Sequence, residues 1–336
     1  LGKITGLKMD TDGNALANAM IGLFYVDTEE FTEDNAILVS VSNENGVFGF
    51  ENAPYGAWIV REIESPEGFV LNDALHYVSV TEDEEIIKVE IINRAIIGSV
   101  RLTKVDAEYP ENKLTGAVFE LYQDTDKNKE FDTEKDMLLS EIEEISEGIY
   151  QKDELTYGGY FVKEKTAPEG FKLDETAYYF EITEDGIIVN VENEAGVGFI
   201  NQPEKGTFEL TKKDVSDGKL LPNAGFRIKD EAGNIVATGV TDKNGIATFT
   251  LRVGKYTYQE YDAPEGYLID EGEYPFEIKE DGEIVKATMT NEKEPVEIIT
   301  TPKTGDDSKV GLWFGLAGAS VVGLGIFGYL LKRKKK

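Results

Sequence analysis

The chain has 336 residues, enough for two or three domains at roughly 100–150 residues each. Asp and Glu total 65 against 34 Lys and Arg, and a charge of −31 repels nucleic acid and anionic lipid, which sets both aside as partners of the main body. The sequence contains no cysteine and a single histidine, His76, which excludes disulfide stapling and leaves no basis for a histidine-rich metal site or a Ser-His-Asp triad. Leu1 in place of an initiator Met reads as the start of a fragment or a processed chain.

In chain order, the same set of elements appears three times. Each unit opens on a lysine-bearing stretch: GLKMD with Lys8, LTKVD with Lys104 and LTKKD with Lys212. Lys213 is a rival to Lys212, but alignment with LTKVD favours Lys212, and a strand points the two to opposite faces. A second apolar stretch carries Ala19, Ala117 or Ala224. Alternating runs then lead to a glutamate: AWIVRE at Glu62, GYFVKE at Glu164 and KYTYQE at Glu260. SPEGF, APEGF and APEGY follow; Pro presets φ and Gly accepts a positive φ, which predicts a turn. A last stretch ends on Asn93, Asn201 or Asn291. Glu-to-Asn spacings are 31, 37 and 31 residues, and Lys-to-Glu spacings are 54, 60 and 48, so the variable loop belongs to the first half of the unit. Short alternating runs broken by NENG, DKNG and TEDG predict all-β sandwiches over 1–97, 98–205 and 206–295.

The second unit also contains DTDKNKEFDTEKD at 124–136. Asp124, Asp126, Asn128 and Asp132 have the early spacing of a calcium loop, but Lys129 replaces the glycine expected at the sixth position and Lys135 the closing glutamate. The segment reads first as a solvated acidic loop, with a weak calcium site on those four residues as the alternative and no other cofactor expected.

Residues 296–309 read as an exposed linker, 310–331 as an uncharged span long enough to cross a bilayer as a helix, and 332–336, KRKKK, as a basic cytoplasmic tail. Just before the span lies Thr301-Pro302-Lys303-Thr304-Gly305. Pattern, span and tail in this order resemble the Leu-Pro-x-Thr-Gly cell-wall sorting signal of Gram-positive bacteria, with Thr301 in place of Leu. The resemblance implies cleavage by a sortase between Thr304 and Gly305 and transfer of the threonine to a peptidoglycan precursor.

Lysine in the first strand, a Glu-x-x-Ala-Pro-x-Gly-Tyr-like box and asparagine in the last strand resemble the collagen-adhesin B-type domains of Gram-positive surface proteins and pilins. The resemblance covers residues 1–295 and implies prealbumin-like, inverse immunoglobulin-type sandwiches. It also implies isopeptide bonds Lys8–Asn93, Lys104–Asn201 and Lys212–Asn291, assisted by Glu62, Glu164 and Glu260. A buried lysine is nucleophilic because lost hydration favours the neutral amine, and the glutamate is expected to donate to the asparagine carbonyl, polarise it and shuttle the proton to the leaving ammonia. Leu7, Leu102, Leu210, Ile92, Ile200 and Val162 are expected to supply the dry setting. The function expected is an extracellular, wall-anchored stalk or adhesin, with a host- or matrix-binding module or an accessory tip or base pilin as alternatives. Tyr109-Pro110-Glu111-Asn112 lacks the lysine of a polymerising pilin's Tyr-Pro-Lys motif. No enzymatic turnover is expected beyond the self-modifying triplets.

Overall fold

The computed structural model describes residues 1–295; the expected linker, sorting motif at 301–305, membrane helix at 310–331 and basic tail at 332–336 lie outside the described residues. Among the described residues no helix is long and apolar enough to cross a membrane.

The chain is all-β. The first unit comprises β1 (Gly2–Asp10), β2 (Met20–Tyr25), β3 (Leu38–Val41), β4 (Val47–Ala53), β5 (Gly56–Glu64), β6 (His76–Val80) and β7 (Ile86–Asn93). The second comprises β8 (Ile97–Asp106), β9 (Val118–Gln123), β10 (Met137–Ser146), β11 (Ile149–Thr156), β12 (Gly158–Thr166), β13 (Ala177–Ile182), β14 (Ile188–Asn190) and β15 (Phe199–Asn201). The third comprises β16 (Lys205–Asp214), β17 (Gly225–Asp230), β18 (Ile235–Val240), β19 (Ile246–Arg252), β20 (Gly254–Asp262), β21 (Glu273–Ile278) and β22 (Ile284–Asn291).

Two sheets face each other in the outer units, ordered β4-β1-β7 with β3-β2-β5-β6, and β19-β16-β22 with β18-β17-β20-β21. In the middle unit the long β10 joins the sheets: its first half pairs with β9 and its last residues with β11. Register shifts between Leu138 and Ser140, and between Glu144 and Ser146, accompany the crossing, as expected where one strand turns a sandwich corner.

The first strand of each unit buries alternate residues, and an inward row of glycine and apolar residues leads to the lysine. The rows are Gly2, Ile4, Gly6 and Lys8; Gly98, Val100, Leu102 and Lys104; and Gly206, Phe208, Leu210 and Lys212. Each packs into its own apolar core, with Phe48 and Phe50, Phe119 and Phe199, or Phe226 and Phe249 among the largest members.

The Pro-Glu-Gly boxes form the same turn three times. Gly68, Gly170 and Gly266 have φ of 83°, 78° and 79°, while the amides of Phe69, Phe171 and Tyr267 donate to the prolines' carbonyls at 3.0–3.1 Å. Each turn glycine's carbonyl then accepts an amide from just past the last strand, from Ile96, Glu204 or Glu294. The box therefore straps down the exit of its own domain. It also borders the next one: Tyr157 donates to Glu67 at 3.1 Å. Beside it Arg94 makes a bidentate pair with Asp185 at 2.6 Å. At the second junction Arg252 pairs with Asp106 at 2.6 and 3.0 Å and with Glu108 at 2.8 Å.

Candidate functional site

First and last strands run parallel and adjacent in every unit. Asn93 lies opposite Asp10, Asn201 opposite Asp106 and Asn291 opposite Asp214. Each asparagine is thus in register with the residue two beyond the lysine. Because side chains alternate, lysine and asparagine become diagonal neighbours on the inward face. The glutamate comes from the opposite sheet, paired with Ile21, Phe119 or Phe226 beside a register shift. Three sequence positions tens of residues apart therefore converge across the sandwich at one recurring place.

All nine side chains are buried, and the lysines have no exposed surface (0%). In the first domain Lys8 Nζ donates to Asn93 Oδ1 at 2.5 Å and lies 3.5 Å from Glu62 Oε1. Asn93 Nδ2 donates to both oxygens of Glu62, at 3.0 and 2.9 Å. In the second, Lys104 Nζ is in very close contact with Asn201 Oδ1 and lies 3.1 Å from Glu164 Oε1, and Asn201 Nδ2 donates to Glu164 at 3.0 and 2.9 Å. In the third, Lys212 Nζ lies 3.2 Å from Glu260 Oε1 and Asn291 Nδ2 donates to that oxygen at 2.9 Å. There Lys212 Nζ and Asn291 Oδ1 are each buried without a hydrogen-bond partner. Lys213, the rival, is only half-buried on the other face.

Burial lowers all three lysines from their ordinary 10.5, against the raising pull of the adjacent glutamates. Lys104 is drawn down to about 8. Its ammonium also faces the rings of Phe199 and Phe119, at 4.7 and 5.9 Å from their centroids.

Two details differ from the sequence reading. Leu7 and Ile92 do not dry the first site: they are 41% and 47% exposed, because each is one residue from its lysine or asparagine and points to the other face. Leu102, Leu210 and Val162 do face inward, and Ile200 is half-buried. In the first domain Gly6 holds the position of Leu102, and Phe48 fills the space; a Cβ there would come within 2.1 Å of that ring. The glutamates also face the amide nitrogen of each asparagine, the group that would leave, rather than its carbonyl oxygen.

A fourth position escaped the sequence reading. The second oxygen of each glutamate accepts the backbone amide ten residues on, from Asn72, Asp174 or Asp270, at 2.7, 3.0 and 2.9 Å. The strings EGFVLN, EGFKLD and EGYLID carry the signal.

In the acidic loop, one oxygen each of Asp124, Asp126 and Asp136 fall within 4.8 Å of one another. Asn128 and Asp132 are not part of that group. The side-chain oxygen of Asn128 accepts the Glu130 amide at 2.6 Å, and Asp132 Oδ1 accepts the Glu134 amide at 2.9 Å. Lys129, where glycine was expected, takes the left-handed φ of 63° itself.

The chain belongs to the SpaA family of prealbumin-like fold domains, which matches residues 2–95, 98–195 and 206–293. Among solved structures it is similar to the Bacillus anthracis TIE protein, with 32% identity over 87% of this chain and a TM-score of 0.68; the chain spans 51% of that protein's length. It also aligns with BcpA, the major pilin subunit of Bacillus cereus, at 17% identity over 87% of this chain and 99% of that one, with a TM-score of 0.43. A search of the curated proteins found no match.

Proposed function

We propose that the chain is a pilin-type stalk of a Gram-positive cell surface, covalently closed within each domain by a Lys–Asn isopeptide bond and covalently attached to the wall by a sortase. The observation that carries the first part is the threefold recurrence of a buried lysine amine against an asparagine amide with a glutamate at the leaving nitrogen. The neutral amine attacks the asparagine Cγ, the C–Nδ2 bond breaks, and one ammonia leaves for each amide formed. The glutamate takes the proton given up by the lysine and passes it to the departing nitrogen. At the third triad, the amine and the carbonyl oxygen of the pair to be joined are both buried without hydrogen-bond partners.

Such a bond ties first strand to last, so tension enters and leaves a domain without passing through its hydrogen bonds. It offers a cysteine-free chain what disulfides would otherwise provide. Attachment rests on Thr301–Gly305 followed by the apolar span and basic tail. The partners on this reading are the sortase, the peptidoglycan precursor and other pilins.

Intact mass of residues 1–304 tests the bonds. The reading expects a chain lighter by three ammonias, with cross-linked peptides mapping to the three pairs. An unmodified mass in folded protein removes the isopeptide chemistry and leaves the sorting signal to be tested alone. That second test is transfer to the wall fraction, which Thr304→Ala should abolish.

A further inference from the structure

We propose that Asp124, Asp126 and Asp136 form a binding site for a hard divalent cation of calcium's kind. The loop joining β9 to β10 begins on Asp124 and ends on Asp136, and its two ends are its most buried acids, each 5% exposed. Asp136 Oδ2 accepts the Asp132 amide at 2.8 Å. Its Oδ1 is buried with no donor, an orphaned anionic oxygen beside two further carboxylates. A buried carboxylate oxygen is costly unless a donor or a cation meets it.

The loop lysines that form ion pairs do not meet it. Lys135 Nζ lies 3.5 Å from Asp126 Oδ2 and 3.5 Å from Asp132 Oδ2, and is largely exposed. Lys129 turns away to Glu181 at 2.7 Å. Three carboxylates with no imidazole or thiolate among them suit an oxygen-seeking ion and not zinc or copper. An irregular loop suits calcium, which accepts six to eight oxygens in flexible geometry, better than magnesium, which demands near-ideal octahedral ligation. Loop carbonyls and water would complete the shell. The expected affinity is that of extracellular modules, roughly 10⁻⁴–10⁻³ M.

Calorimetric titration of the metal-free full chain with calcium chloride tests this, with magnesium chloride as the control. The expected result is one saturable calcium site per chain, weakened at least tenfold in Asp136→Asn and in Asp126→Asn. Asp126 is exposed, so its variant keeps the fold if the buried one does not. Lys135→Ala should tighten binding severalfold by removing a competing charge. Absence of a saturable site, or one unaltered by Asp126→Asn, overturns the proposal and assigns any uptake to the diffuse acidic surface.

Discussion

The first and second domains hold the same three side chains in the same register, yet surround them differently. Lys8 has the Ile91 carbonyl at 3.3 Å and, among the described residues, no aromatic ring over its amine. Lys104 has two rings over it and a second carboxylate nearby, Asp174, whose counterpart in the first domain is the neutral Asn72. More negative charge should raise the lysine, but Lys104 is still lowered to about 8, so the dryness of its pocket outweighs both carboxylates. The reactive state of the amine is therefore set by how completely the sandwich closes over it.

The largest effect expected is from removing the glutamates. Glu164→Ala and Glu62→Ala should each leave one ammonia in the intact mass and uncouple first strand from last. The chain-entropy treatment puts a cross-link closing a loop of this size at about 4–5 kcal/mol. Lys–Asn separations of 85 and 97 residues alter that by only about 0.1 kcal/mol, so loop length cannot distinguish the two domains. Any larger difference between the two variants in denaturant midpoint reports their surroundings. A parent that carries the same full set of ammonias as both variants would mean that the triads are unreacted ion pairs.

A smaller effect should appear with pH. Asn201→Ala keeps Lys104 buried and unreacted. Below about 8 the lysine is charged whether the domain is folded or unfolded, and the cost of burying the charge is borne in full. Between about 8 and 10.5 the unfolded chain holds a proton that the folded one has released, so stability should rise with pH and then level off. Asn93→Ala should respond in the same direction, since Lys8 is also lowered. The cross-linked parent, with its lysines converted to amides, should show no such rise. A flat profile in Asn201→Ala would mean that water reaches Lys104.

The triads were legible in the sequence because the fold repeats: Lys8, Lys104 and Lys212 take the same place in an inward row of the first strand, and a parallel register fixes each partner asparagine. Leu7 and Ile92 misled because adjacency in sequence means opposite faces in a strand. The role of Gly6 was hidden, since nothing local says that Phe48 will fill its place. The β10 crossing depends on pairing with two different strands, which no local pattern encodes. Asp136 was missed because the calcium-loop template closes at the twelfth position, while the chain closes its loop at the thirteenth. The arginine junctions join domains and leave no trace in the repeat.

The finest test exchanges the one charge that separates the two sites. Asp174 accepts hydrogen bonds from Tyr178 at 2.7 Å and Asn193 at 2.9 Å, and its charge raises Lys104. Asp174→Asn in the Asn201→Ala background should move the Lys104 titration further below about 8, as read by lysine side-chain NMR. It should cost about 1 kcal/mol through the altered hydrogen bonds. Asn72→Asp beside Asn93→Ala should do the reverse, raising Lys8. Opposite movements would make position ten after the glutamate a charge dial on the amine. If neither lysine moved, the difference between the domains would lie in the Ile91 carbonyl beside Lys8 and in the rings of Phe119 and Phe199 over Lys104, not in the charge at position ten.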